Sequence, residues 1–286
     1  QPDLRMLNEY CSSLRAAFTA IQVDRTFFEN APISKQYPQE MYYRLLAPLL
    51  LPDSLERILY LDPDILVINP VRPLWELELG DNIFAAASHT GLFDVMNDVN
   101  RVRLKQDHDY FNSGVILMDL AGWRRENVLK KLLDFYGDHA GSLFACDQDT
   151  INGTLKGRIL PLSPRYNFFT NYRYFRYNTL VQLCDAYRAV GKKEFAAAKR
   201  KPVIIHFLGD ERPWIRGNHN HYGKWYRKYL AMTPWKDMSM QKGKFWYMQL
   251  WWCFNQITRI CPAFRLAISR RLGMKVIDDR KKRQGK

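Results

Sequence analysis

Arg57-Ile58-Leu59-Tyr60-Leu61-Asp62-Pro63-Asp64-Ile65-Leu66-Val67-Ile68-Asn69-Pro70 sets two apolar runs, each long enough for a strand, on either side of two aspartates and a proline. Pro63 donates no ladder hydrogen bond and holds Asp62 extended, so the first strand is expected to end at this point. Residues i and i+2 of an extended backbone point to the same side, which aims both carboxylates at one spot. The carboxyl end of a strand is where open α/β sheets place ligands. Two like charges this close repel unless a cation joins them, and paired hard oxygens suit Mg²⁺ or Mn²⁺. A solvated acidic turn has the same composition, so the stretch alone leaves both readings open.

Outward from this stretch, strand-like and helix-like segments alternate. Residues 4–22 read as a helix running into "FTAIQVD" (18–24), a short strand. "SKQYPQEMYYRLLAPLLLP" (34–52) reads as a helix entered after Pro38 and ended by Pro52. "NIFAAASH" (82–89) is a strand, "YFNSGVILMDLAGWRR" (110–125) a strand entering a helix near Ala121, and "DQDTINGTLKG" (147–157) a short helix stopped by Gly157. "RILPL" (158–162) and "KPVIIHFLG" (201–209) are further strands. This alternation indicates a layered α/β domain.

The 286 residues are 47% hydrophobic and 14% aromatic, enough for a substantial core. No uninterrupted apolar run approaches the length needed to cross a bilayer, and no signal peptide stands at Gln1. Cys11, Cys146, Cys184, Cys253 and Cys261 are scattered without metal-ligand spacing, which suits packing thiols in a reducing cytoplasm. The net charge of +14 is concentrated at one end: thirteen basic residues from Lys236 onward face only Asp237, Asp278 and Asp279. A nucleic-acid-binding role draws on that charge and the aromatics, but the remaining chain groups its acids around the expected cleft, which repels phosphate backbones.

Two further constellations carry chemistry. His206 closes the apolar run Val203-Ile204-Ile205 and is followed by Gly209, Arg212, Pro213 and Trp214. A strand-terminal histidine beside carboxylates favours Mn²⁺ over Mg²⁺, while Gly209 and Arg212 suit a phosphate; a satisfied core histidine followed by a turn fits as well. Asn112 places an amide among apolar neighbours, and Asp147, Gln148 and Asp149 cluster where a helix begins. An N-cap accounts for Asp147 but not for all three.

Together and in this order, "YLDPDILV…PLWELELGDN", "YFNSGVILMDLAGWR", "DQDTINGTLKG", "YNFF" and "HFLGDERPW" resemble the family 8 glycosyltransferases, which include bacterial lipooligosaccharide galactosyltransferases and glycogenin. The resemblance spans about Tyr42 to Trp225. It implies a GT-A fold, a Rossmann-like α/β domain with a mixed central sheet, binding a UDP-hexose with Mn²⁺, or Mg²⁺ in its place. It implies that Asp62, Asp64 and His206 hold the metal, that Arg44 in "YYRLL" lies near the nucleotide-sugar, and that Asn112, Asp147 and Gln148 line the donor sugar. Gly209 matches a diphosphate-loop glycine. Arg212 stands where members commonly carry lysine, which keeps the charge and changes its geometry. Members begin with a strand, a helix and a second strand that contribute to the uridine site, and this chain is expected to start after them. The resemblance further implies retention of anomeric configuration by front-face attack, with Gln148 stabilising the transition state and Asp147 orienting the sugar.

The expected organisation is a catalytic domain over 1–235 and a basic, aromatic tail over 236–286. In "KFWYMQLWWCFNQITRICPAFRLAISRRLG" (244–273), Gln249, Gln256 and Arg259 are expected opposite an apolar face of Phe245, Met248, Trp251, Trp252 and Phe254. That mixture suits an interfacial helix on anionic lipid, hence a peripheral protein on the cytoplasmic face of the membrane acting on a glycan or lipid-linked acceptor. Packing of the aromatics on the catalytic domain is the alternative. A non-catalytic nucleotide-sugar- or glycan-binding remnant is the competing function.

Overall fold

The computed structural model describes residues 2–28, 39–88, 109–139, 143, 145–183, 186–265, 267–268, 271–272 and 275. Its strands are β1 (Arg57–Leu61), β2 (Ile65–Val67), β3 (Phe84–Ser88), β4 (Phe111–Asp119), β5 (Ile159–Pro161), β6 (Phe168–Phe169) and β7 (Ile204–His206). The α-helices used below are α1 (Pro2–Ser13), α2 (Ala47–Leu50), α3 (Arg72–Trp75), α4 (Leu120–Arg125), α5 (Val128–His139), α6 (Asp147–Thr154), α7 (Tyr177–Leu183), α8 (Ala186–Val190), α9 (Lys192–Arg200), α10 (Gly223–Leu230) and α11 (Phe245–Ile260).

β4 organises the larger sheet. Val115, Ile116, Leu117 and Met118 are fully buried on alternating faces, the pattern of a central strand covered on both sides. β1 and β3 flank it antiparallel and β5 adds parallel to β3, giving the order β1-β4-β3-β5. A second sheet has the order β2-β7-β6, with β2 antiparallel and β6 parallel to β7.

The Asp62-Pro63-Asp64 interruption is the crossing between the two sheets. Asp62 N–H donates to Gly114 O (2.8 Å) and extends the β1–β4 ladder. Phe207 N–H donates to Asp64 O (2.9 Å) and extends the β2–β7 ladder. Each aspartate therefore belongs by its backbone to a different sheet, and both lie at the seam. A shared core of Leu74, Ala85, Val115, Leu117, Val203 and Ile204 packs the sheets together there, joined by Leu59, Ile65 and Val67.

Asp119 ends β4 and caps α4, its Oδ1 accepting from Gly122 N–H at 2.9 Å. From α4, Trp123 is fully buried against Phe84, with ring centroids 4.9 Å apart. Arg124 donates to the carbonyls of Pro48 (3.1 Å) in α2, Leu51 (3.0 Å) at its C-cap and Leu55 (2.8 Å) in the turn that follows.

Three local expectations are corrected. The first helix stops at Ser13, where Arg15 at φ 57° and the bonds Ala16 N–H to Cys11 O (2.9 Å) and Arg15 N–H to Ser12 O (3.0 Å) form a left-handed cap; residues 18–24 form no strand. The helix around Arg44 is 3₁₀ over Gln39–Leu46 and restarts as α2 at Ala47. Pro48 explains the break, since its ring opposes an α-helical carbonyl at Arg44 and it offers no N–H. The apolar face expected of the tail helix is divided: Met248 is buried and Trp251 and Phe254 half-buried beside the buried Asn255 and Thr258, while Phe245 and Trp252 are exposed. Residues 34–38, His89, Cys184 and the basic run from Arg280 lie outside the described residues.

Candidate active site at the seam of the two sheets

Asp62, Asp64 and His206 each offer a ligand atom within 4.8 Å of the others. β2 pairs with β7 so that Ile65 stands opposite His206, which carries the imidazole to the aspartates. His206 Nε2 lies 3.2 Å from Asp64 Oδ1. His206 Nδ1 is 2.8 Å from the side-chain oxygen of Asn167, which accepts the Nδ1 proton and leaves Nε2 as the nitrogen that faces a metal.

The cradle depends on Gly114. A Cβ there would stand 2.4 Å from His206 Cε1 and 2.7 Å from Asp62 Oδ2, closer than atoms approach. With the bare α-carbon, two carboxylates and a tautomer-fixed imidazole converge on one point. That donor set fits a hard or borderline divalent cation.

Arg44 is the electrostatic centre beside this cluster. It is almost fully buried; its Nη2 lies 3.0 Å from Asp62 Oδ1, its Nε 3.1 Å from Asp147 Oδ2, and its Nη1 donates to Ser113 O at 2.6 Å. Tyr60 stacks under the guanidinium at 4.4 Å and donates its hydroxyl to Asp62 Oδ1 at 2.8 Å. Asp62 thus commits one oxygen to Arg44 and Tyr60 and keeps Oδ2 toward Gly114 and the cluster. Burial raises the Asp147 pKa to about 6 against the pull of Arg44, with the charge of Asp62 adding to the rise. Burial also works against ionisation of Asp64, but the neighbouring His206 and Arg212 side chains outweigh it and hold the pKa below the usual carboxylate value.

α6 carries Asp147 and Gln148 on its first turn, presented by Cys146, which adopts φ 50°. A non-glycine residue in that region costs about 1–3 kcal/mol and persists only where the surroundings enforce it. Here Asn152 clamps Phe111 through both main-chain groups (2.7 and 2.9 Å), and Asp149 accepts the Tyr110 hydroxyl and Ala145 N–H (2.8 Å). Asp149 is therefore part of the clamp. Gln148 Oε1 accepts from Asn112 Nδ2 (3.0 Å) and Ser113 N–H (3.2 Å). Asp147 Oδ2 takes Arg44 and the Ser113 hydroxyl, while its fully buried Oδ1 has no hydrogen-bond partner among the described residues. An unpaired buried carboxylate oxygen is costly and marks a place where a ligand hydroxyl fits.

One directional chain joins these groups: His206 Nδ1 to Asn167 Oδ1, Asn167 Nδ2 to Asn112 Oδ1 (2.8 Å), and Asn112 Nδ2 to Gln148 Oε1. Three of its members have a role read from the sequence, while Asn167, Gly114, Ser113 and Tyr60 lie inside the same sequence motifs without one. Gly209 follows the cluster at φ 57° with open space around its α-carbon. Arg212 pairs with Asp64 Oδ2 at 3.1 Å, its side chain 44% exposed. The segment behind it is held by α11: Asp210 meets Lys244 (3.1 Å) and the Tyr247 hydroxyl (2.8 Å), and buried Glu211 accepts from Trp251 Nε1 (2.7 Å) and Tyr174 OH (3.3 Å).

Comparison with known proteins locates this arrangement. The profile of glycosyl transferase family 8 matches residues 3–217. The chain is 30% identical over 222 residues to general stress protein A of Bacillus subtilis, covering 77% of this chain and 74% of that protein. It is 28% identical over 236 residues to a lipopolysaccharide 1,2-glucosyltransferase of Escherichia coli K12, covering 82% of this chain and 65% of that enzyme. Among solved structures, the galactosyltransferase LgtC in complex with donor and acceptor sugar analogs aligns at a TM-score of 0.62 and 24% identity, over 75% of this chain and 74% of that one. The shared architecture is the GT-A fold.

Proposed function

The chain belongs to glycosyl transferase family 8, and from that premise we propose that it moves a hexose, galactose or glucose, from a UDP-sugar to a glycan acceptor with retention of anomeric configuration. The observation that carries the reading is the convergence of Asp62, Asp64 and His206 from two sheets onto one cation-sized point. In this reading those three residues hold Mn²⁺, which when bound neutralises the diphosphate leaving group as a Lewis acid.

The chain's own groups account for the rest. Asp147 Oδ1, buried and unpaired, receives a donor-sugar hydroxyl and orients the ring. Gln148 Oε1 already accepts two N–H donors, which withdraws electron density and makes it a poor nucleophile. That supports front-face attack, in which the departing phosphate oxygen takes the proton of the acceptor hydroxyl and Gln148 stabilises positive charge developing at the anomeric carbon. Gly209 lets backbone N–H groups approach the diphosphate. Arg212, paired with Asp64 and 44% exposed, would be the side chain to meet the diphosphate oxygens.

The acceptor is proposed to be lipid-linked, and the enzyme peripheral on the cytoplasmic membrane face. No helix among the described residues is long and apolar enough to cross a membrane. α11 instead presents Trp246 (78% exposed), Leu250, Ile257 and Ile260 outward at helical spacing, continued by Phe264, the pattern of a helix lying in an interface. The organisation proposed is a catalytic unit over 1–235 with an interfacial tail over 236–286.

The test is Mn²⁺ binding followed by electron paramagnetic resonance. The reading expects one tight site that Asp64→Ala and His206→Ala each remove, with UDP tightening the binding. Unchanged Mn²⁺ affinity in both variants would remove the metal assignment.

A further inference from the structure

A cavity of about 390 Å³, whose lining includes none of Asp62, Asp64 and His206, lies between the end of α11, α9 and the 3₁₀ turn Thr170–Tyr174. Its lining is Arg173, Arg176, Lys199 and Arg259 around Tyr174, Phe175 and Ile260. Four cations meet there, and among the described residues no carboxylate lines the space. Among the described residues none of the four has an ion-pair partner, whereas Arg44, Arg158 and Arg165 each meet an acid. Lys199 Nζ donates to Phe175 O at 2.8 Å. Burial first, then the charges of Arg173 and Arg259, pull its pKa down to about 8. Converging cations that the protein leaves uncompensated raise the local potential and favour a bound anion.

We propose that this cavity binds a phosphate ester. Guanidinium groups from two elements, Arg173 and Arg176 on one side and Arg259 on the other, grip phosphate oxygens bidentately, and Lys199 adds a point charge from the floor. The space exceeds that of a bare phosphate ion, and the Tyr174, Phe175 and Ile260 wall receives the organic part of the ester. Ile260 also belongs to the outward apolar stripe of α11, so a phospholipid headgroup and a soluble phosphorylated compound reach the cavity equally well by its chemistry.

The experiment is trace acetylation of the full chain in EDTA, with Lys199 modification read by mass spectrometry against the exposed Lys192 and Lys193 on the same helix. The probes are glycerol 3-phosphate, chloride at equal ionic strength, and vesicles of phosphatidylcholine with or without phosphatidylglycerol. Selective shielding of Lys199 by glycerol 3-phosphate supports the site and assigns a soluble ester. Shielding by phosphatidylglycerol vesicles alone supports it and assigns a lipid headgroup. Arg176→Gln and Arg259→Gln, both at exposed positions, are each expected to raise the half-shielding concentration about tenfold. Absence of shielding by every probe, equal shielding by chloride or by phosphatidylcholine alone, or shielding unchanged in both variants overturns the proposal. The assay contains no nucleotide-sugar and no divalent metal, so its failure and a failure of glycosyl transfer are separate results.

Discussion

Gly114 and Arg44 show how much of the site rests on single residues. A methyl group at Gly114 meets His206 and Asp62 well inside contact distance, so Gly114→Ala is expected to abolish Mn²⁺ binding. Mn²⁺ titration beside a circular dichroism spectrum checks this; a variant that keeps both its fold and its metal affinity contradicts the cradle. Arg44 compensates two carboxylates, the buried Asp147 and the half-buried Asp62. Arg44→Leu should cost about 3–5 kcal/mol in urea denaturation, the usual consequence of breaking a buried ion pair from one side. Adding Asp147→Asn should recover part of that loss. Asp147 also sets a pH dependence. Its folded pKa is raised to about 6 from 3.8, so the folded chain holds the proton more tightly. The resulting stabilisation is complete below pH 3.8 and is lost as pH rises through 6. Asp147→Asn should flatten stability across that window, and an unchanged profile would assign it to other groups.

The site residues differ in how visible they are from sequence. Asp62, Asp64 and His206 interrupt or end apolar runs, where a polar side chain has no core-packing reason to be. Asn167 gives no such signal: it precedes Phe168-Phe169 in a two-residue strand, and its partners His206 and Asn112 are 39 and 55 residues away. Gly114 lies within the continuous buried strand β4, where its need for a bare α-carbon is set by side chains from β7 and the seam.

Among elements, α11 is the one whose packing was least legible in the sequence. Its aromatic composition is plain, but the inward face is chosen by a carboxylate far away in sequence. Glu211, only 5% exposed, takes the Trp251 indole, and Gln249 Nε2 donates to Gly217 O at 3.0 Å. Arg265 closes the contact, donating to Asn255 Oδ1 and Thr258 Oγ1 at 2.8 Å each and lying 4.6 Å over Phe175. The helix therefore grips the segment that carries Gly209 and Arg212. Glu211→Ala leaves the Trp251 and Tyr174 donors unpaired and should destabilise by about 1–3 kcal/mol. Amides of residues 245–260 should then exchange faster by mass spectrometry, and exchange equal to that of the parent chain contradicts the clasp. The 3₁₀ form of Gln39–Leu46 was hidden for a different reason: apolar spacing of three and four residues fits both helix types, and Pro48 acts one turn downstream.

At the scale of the whole molecule, function follows from two sheets meeting end to end at Asp62-Pro63-Asp64. The α/β alternation and the end of β1 were legible because Pro63 and paired acids break an apolar strand. The assignment of the two halves to separate sheets was not, because ladder partners Gly114 and Phe207 lie far along the chain. The most direct test of glycosyl transfer at this seam is UDP release from UDP-galactose and UDP-glucose with Mn²⁺, with EDTA, and in Asp64→Ala. Metal-dependent release by the parent chain with one of the two donors, lost in EDTA and in Asp64→Ala, is the expected result. Release that persists undiminished in EDTA and in the variant contradicts it.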